Sequence, residues 1–123
     1  MGRHDIILAV GLGGALGTVA RYLLSLGAVT LQPGAAVLAT LMANILGAGL
    51  IGYLATRPLA PRARAFLMTG FCGGFTTFSM VSLELVLLIE RSLALAAAYA
   101  GVSLGAWMLA VWAGYRLGHA RGA

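Results

Sequence analysis

Charge is what this chain has least of: 9% of its 123 residues are Asp, Glu, Lys or Arg, and lysine is missing altogether. Soluble domains carry about a quarter charged residues, so composition excludes an ordinary water-exposed globule. A single cysteine excludes an intramolecular disulfide and a cysteine-cluster metal site. Cys72 reads as a small apolar filler rather than as a bridge between subunits. The three acidic residues are Asp5, Glu84 and Glu90, and the two histidines, His4 and His119, lie near the ends. They form no paired carboxylates, no His–Asp–Ser arrangement and no ligand cluster, so no enzyme activity is expected.

What fills the chain instead is apolar: 61% of its residues are hydrophobic, with a mean hydropathy of +0.98. Four apolar runs, at about 6–29, 35–56, 65–89 and 93–117, each reach the roughly 20 residues needed to cross a bilayer core of about 30 Å. The expectation is an all-α membrane protein, a single four-span membrane domain over 1–123 with little chain left for a soluble module. The first run is too long for the core of a cleavable signal and lacks a basic lead, so it reads as a permanent span. All eight basic residues are arginines. Most flank spans, which accounts for the net charge of +5 without a nucleic-acid partner. In a four-span topology Arg3, Arg57, Arg62, Arg64, Arg116 and Arg121 fall on one side and Arg91 on the other. That bias puts both termini in the cytoplasm. Four thin, glycine-rich helices enclose little, so self-association is expected.

The first span carries Gly13 and Gly17 at GxxxG spacing, with Gly14 and Thr18 beside them. Small residues so placed let helix backbones approach closely in lipid. A phosphate loop would need a preceding strand and a lysine. Arg21 lies further along, where a charge near mid-membrane costs about 2.5–3.5 kcal/mol on insertion scales. It either reaches a partner or wet vestibule, or snorkels to an interface. In the second span Asn44, the only asparagine, shares a helix face with Thr40 and Ala48. That stripe suits a pore lining and a tight helix interface equally well. The proline-bearing stretch Arg57–Arg62 reads as a stiff surface turn.

The third span holds the most informative segment: Gly70-Phe71-Cys72-Gly73-Gly74-Phe75-Thr76-Thr77-Phe78-Ser79. Its glycines weaken the helix by up to about 1 kcal/mol each, and its three hydroxyls can bond to the backbone groups a break would free. Lipid offers such groups no partner, so an interruption must face protein, water or an ion. Bare carbonyls there suit a cation, and the amide end of the second half-helix suits an anion. An ion site is therefore favoured over a helix merely kinked by glycine. Glu84 follows about two turns beyond Thr77, within the membrane or at a vestibule rim. In the fourth span Tyr99 and Ser103 share one face, which Trp107 continues. Asn44, Thr76, Thr77, Ser79, Tyr99 and Ser103 make the interior rich in hydrogen-bond donors. With the ring edges of Phe75 and Phe78, these suit a small hard anion that sheds water on entry.

On these residues the chain resembles the Fluc (CrcB-type) fluoride channels over nearly its whole length. The resemblance lies in Gly13-Gly14-Ala15-Leu16-Gly17 leading to Arg21-Tyr22, in Thr40-Leu41-Met42-Ala43-Asn44, in the third-span segment, and in Tyr99 with Ser103. It implies an antiparallel, dual-topology dimer in the cell (inner) membrane, with two fluoride pathways and a structural Na+ at the centre. The Na+ ligands implied are the backbone carbonyls of Gly73 and Thr76. The implied fluoride pathway takes in Asn44, Phe78, Ser79, Tyr99, Ser103, Thr40 and Thr77, with Arg21 and Glu84 at a vestibule. The role implied is passive fluoride efflux that protects the cell from fluoride accumulation.

The chain departs from the family pattern in two ways. Met80 and Val81 stand where a threonine and a second pore-facing phenylalanine are usual, and the arginine bias suggests one fixed orientation. Both fit one half of a heterodimeric channel as well as a homodimer, which is the simpler assembly. A small multidrug-resistance-type exporter shares the span count but needs a deep carboxylate in the first span, whereas Asp5 precedes that span.

Overall fold

The computed structural model describes residues 2–122, all helix and connecting loop. Helix α1 spans Arg3–Leu31 and α2 spans Ala36–Leu54. Between them the chain reverses at Gly34, whose φ of 95° is the left-handed conformation that a side chain disfavours. The third span is assembled from pieces: α3 (Pro61–Arg64), a π-helical stretch (Ala65–Cys72), α4 (Gly73–Phe75) and, past a gap, α5 (Ser79–Arg91). Helix α6 covers Leu93–Gly122. Four helical segments are thus long and apolar enough to cross a membrane.

The helices outrun the apolar runs at most ends, because backbone hydrogen bonding continues into the headgroup region after the hydrophobic pattern stops. Pro61, expected within a turn, instead opens α3. At the first position of a helix the missing proline N–H costs nothing and its fixed φ suits the helix. Ser92 separates α5 from α6 with extended backbone, and its Oγ accepts the Leu95 N–H at 3.2 Å, which caps the last helix.

Two backbone-to-backbone contacts hold the protomer together. Gly13 and Gly17 of α1 are buried. A Cβ added at Gly17 would collide with the Phe71 carbonyl, and one at Gly13 with that of Phe66. The GxxxG face therefore packs within the chain, against the third span. On the other side α2 meets α6, where a Cβ on Gly114 would strike the Gly49 carbonyl. Between these seams a small core of Val81, Leu88, Ala96 and Tyr99 joins α5 to α6. Asp5 pairs with Arg62 at 3.4 Å, and Arg57 lies beside Gly122. Both contacts place the N-terminus, the second loop and the C-terminus at one end of the bundle.

Replacing Gly17 with leucine should push α1 off the third span and lower the thermal midpoint of the detergent-solubilised protein by at least several degrees, since overpacking costs about 1–3 kcal/mol or more. Gly27, which has open space around it, should tolerate alanine with no loss. Equal midpoints for both variants would contradict this seam.

Candidate functional site at the broken helix

The third span comes apart just after its glycines. Helix α4 ends at Phe75, and Thr76 turns extended with φ −87° and ψ 157°. Phe78 then leads into α5. The π-helical turn before it widens the backbone, a geometry that recurs at functional sites. Three residues thus leave regular helix inside a membrane span, and each freed group needs a partner.

Asn44 supplies two of them. Its Nδ2 donates to the Thr77 carbonyl at 3.0 Å, and its Oδ1 accepts the Thr77 N–H at 2.8 Å. The amide thereby replaces the backbone partners on both sides of one residue, as a neighbouring strand would. Local hydroxyls meet further groups. Thr76 Oγ1 donates to the Cys72 carbonyl at 2.9 Å. Thr77 Oγ1 accepts the Met80 N–H at 3.1 Å and lies 3.2 Å from Ser79 Oγ. From α1, Thr18 Oγ1 and Arg21 Nε each donate to the Gly74 carbonyl at 3.4 Å. Arg21 therefore takes the first of its two expected roles: it reaches a partner at the break.

Asn44 itself is 6% exposed. One turn on, Gly47 lets the Thr76 methyl seat against α2. The tight-interface reading of the Asn44 stripe is thus realised towards the third span. Beside it opens a groove of about 500 Å³ with Asn44, Gly73, Thr76, Thr77, Phe78 and Trp107 among its lining residues. Phe78 stands out of the protomer, 70% exposed, and Ser79 is exposed beside it. Phe75 stacks on Phe71 with centroids 5.7 Å apart. Its ring serves packing. Cys72, 2% exposed, fills space beneath the break as expected.

A second cluster lies deeper, between α2, α5 and α6. Glu84 is 6% exposed. Its Oε1 accepts Thr40 Oγ1–H at 2.7 Å, and its Oε2 accepts the Tyr99 O–H at 2.5 Å. Of the two places open to Glu84, within the membrane or at a vestibule rim, the protomer by itself shows an enclosed one. Thr40 and Tyr99 give their protons to this carboxylate rather than to open space. Burying an unpaired carboxylate costs several kcal/mol, which two charge-assisted hydrogen bonds partly offset. Among the described residues no basic side chain pairs with it. Sequence spacing could not reveal this triad, because its members come from three separate helices.

Ser103, on the face below Tyr99, is 1% exposed. Val81 is 2% exposed and belongs to the apolar core with Tyr99. Met80 is 39% exposed. Trp107 was singled out only as a continuation of the Tyr99–Ser103 face, yet it lines the groove.

Asn44→Ala would strip the Thr77 N–H and carbonyl of their partners, at about 1–3 kcal/mol for each group left buried. The expected outcome is a lower thermal midpoint together with faster amide exchange at Thr77. Unchanged exchange at that residue would mean that something else holds the break.

Residues 8–115 match the family model described as CrcB-like protein, Camphor Resistance (CrcB). A protein of Cereibacter sphaeroides named fluoride-specific ion channel FluC is 46% identical over 111 residues, covering 88% of this chain and 90% of its own. A Rhizobium meliloti protein of the same name is 44% identical over 117 residues, 90% of this chain and 94% of its own. A Chlorobium luteolum namesake reaches 52% over 83 residues, 63% of this chain and 64% of its own. With the family model matched across all four spans, this chain is a member of the CrcB-like family.

Proposed function

We propose that this chain forms a fluoride-selective channel through which fluoride leaves the cell passively, protecting it from fluoride accumulation. One observation carries the reading. A membrane span is broken at Thr76–Phe78, and the break is held by Asn44 beside an exposed Phe78. The relatives named as fluoride-specific channels supply the ion. A polar floor of Asn44, Thr76 and Thr77 has no place against lipid. It calls for a covering partner, and a second, antiparallel copy in the cell (inner) membrane is the simplest.

Within that assembly Asn44, Thr77, Phe78 and Ser79 line the route at the break. Asn44 already spends one N–H on Thr77, so its second N–H is the one free for an anion. The Phe78 ring edge carries partial positive charge and costs little to dehydrate against. Thr40, Tyr99 and Ser103 form the deeper wall, with the Thr40 and Tyr99 hydroxyls held by Glu84. Arg21, part-buried at the break, adds positive charge to a vestibule that attracts anions. Nothing in this route needs a driving reaction: the ion exchanges its hydration for fixed donors and moves down its gradient.

The Gly73 and Thr76 carbonyls suit a structural Na+. The helix stops before their usual donors arrive: the Thr76 N–H goes to Cys72, the Thr77 N–H to Asn44, and the Met80 N–H to Thr77 Oγ1. Space lies open beside Gly73. Neutral carbonyl oxygens are proper ligands for a hard cation. Two from each copy would make a shared site, and the bound ion would tie the two breaks together.

A second reading is favoured by the six-to-one arginine distribution about the spans: a heterodimer with an oppositely oriented relative. The exporter reading loses support, because Asp5 pairs with Arg62 at the end of the bundle.

Fluoride-electrode efflux from liposomes holding this chain alone tests ion, route and self-sufficiency together. Rapid fluoride release with chloride retained is expected. Phe78→Ala should slow release strongly through loss of the ring edge, and Asn44→Ala should slow it moderately through loss of one amide donor. Release that is unaltered in both variants would contradict the route. Release only on adding a related chain would favour the heterodimer.

A further inference from the structure

At the end of the bundle where the N-terminus, the second loop and the C-terminus meet, arginines outnumber their partners. Arg3, Arg57, Arg62, Arg64, Arg116 and Arg121 stand there. Asp5 is the acidic side chain at that end, and Arg62 takes it at 3.4 Å. Glu84 is enclosed between helices, and Glu90 sits beside Arg91 in the last turn of α5, at the opposite end. Among the described residues no carboxylate pairs with Arg57, Arg64, Arg116 or Arg121.

Packing draws three of these arginines into one corner. Gly118 leaves room for the Thr56 side chain, so the last turns of α6 lie against the end of α2 and bring Arg121 with them. Arg57 lies over the Tyr53 ring, 5.3 Å from its centroid. Its Nη1 donates to the Tyr53 hydroxyl at 3.3 Å, and its Nη2 lies beside Gly122. Arg64 comes in from α3 and donates to the Arg57 carbonyl at 3.5 Å. Arg121 approaches the same Tyr53 hydroxyl. That hydroxyl accepts from Arg57, which leaves its own O–H to donate elsewhere.

Like charges gathered in one corner repel one another until an anion lies among them. Every side-chain group offered here is a donor, and phosphate oxygens accept guanidinium forks two bonds at a time. The level of the corner names the source of that phosphate. Tyr53 lies in the last two residues of α2, and on α6 the exposed Trp112 and Tyr115 lie nearby in sequence, with Arg116 stacked on Trp112 at 5.4 Å. Exposed aromatic rings at span ends mark where hydrocarbon gives way to headgroups.

We propose that the Arg57–Arg64–Arg121 corner, with the Tyr53 O–H, seats the phosphate of an anionic phospholipid. A zwitterionic headgroup suits it less well, since its ammonium would add another cation among arginines. The bound lipid ties the second loop and α3 to the end of α6.

The test titrates the detergent-solubilised full chain with dioleoylphosphatidylglycerol, with dioleoylphosphatidylcholine and with inorganic phosphate in separate arms, and reads the thermal midpoint. Phosphatidylglycerol should raise the midpoint in a saturable way, as a ligand of the folded state does, and the other two should not. Arg57→Gln and Arg64→Gln should each raise the half-saturating lipid concentration about fivefold, the scale of one arginine at an anionic surface. Arg91→Gln, at the opposite end, should leave it unchanged. An equal rise with phosphatidylcholine would mean general solvation by lipid, and an equal rise with phosphate a free-ion site; either overturns the inference. So does a half-saturation that Arg64→Gln fails to shift. Should Arg57→Gln not fold, the exposed Arg64 decides alone. Fluoride plays no part in the measurement, so every outcome leaves the channel reading where it stands.

Discussion

The bilayer's refusal to hydrogen-bond the backbone governs this molecule. A span may come undone in lipid only if every group it releases is met from within the protein. Here one side chain, the Asn44 amide, meets a carbonyl and an N–H of the same residue, Thr77. Threonine and serine hydroxyls and a reaching Arg21 meet most of the rest. The carbonyls that remain, and the donors facing the groove, are the groups on which the proposed ion route rests.

Close packing makes that arrangement affordable in so short a chain. Glycines on α1 bring its backbone against the third span on the near side of the break, and glycines on α2 and α6 do the same on the other flank. The seams fix where Asn44 and Thr18 stand relative to the loose segment. Beyond the break, α5 is pinned through Glu84, which draws hydroxyls from α2 and α6 onto one carboxylate. Apolar contact alone gives helices in lipid little reason to choose one register. The triad and the amide clamp are directional, and they choose it.

Much of this was legible in the residues. Hydropathy marked four spans because lipid demands long apolar runs. The glycine–hydroxyl segment marked the break because no ordinary helix gains from that composition. Asn44 was recognised as in need of a partner, but sequence could not say whether it would face a pore or another helix, since its partner is a backbone group 33 residues away. Glu84 was left between the membrane interior and a vestibule rim, because distance along a helix does not report what the neighbouring helices cover. Spacing alone sets Phe75 and Phe78 at i and i+3, yet the chain stops being helical between them, so one ring stacks on Phe71 and the other is exposed. The π-helical stretch left no sequence signal.

That a membrane helix is interrupted at Thr76–Phe78 and held by Asn44 is open to direct observation. A high-resolution crystal structure of the chain grown from lipid in the presence of fluoride is the measurement to make. The expected map shows extended backbone at Thr76, the Asn44 amide against both polar groups of Thr77, and ordered density for an ion or water along the Phe78 groove. An unbroken helix through these residues, with Asn44 bonded elsewhere and the groove filled by acyl chains, would contradict it.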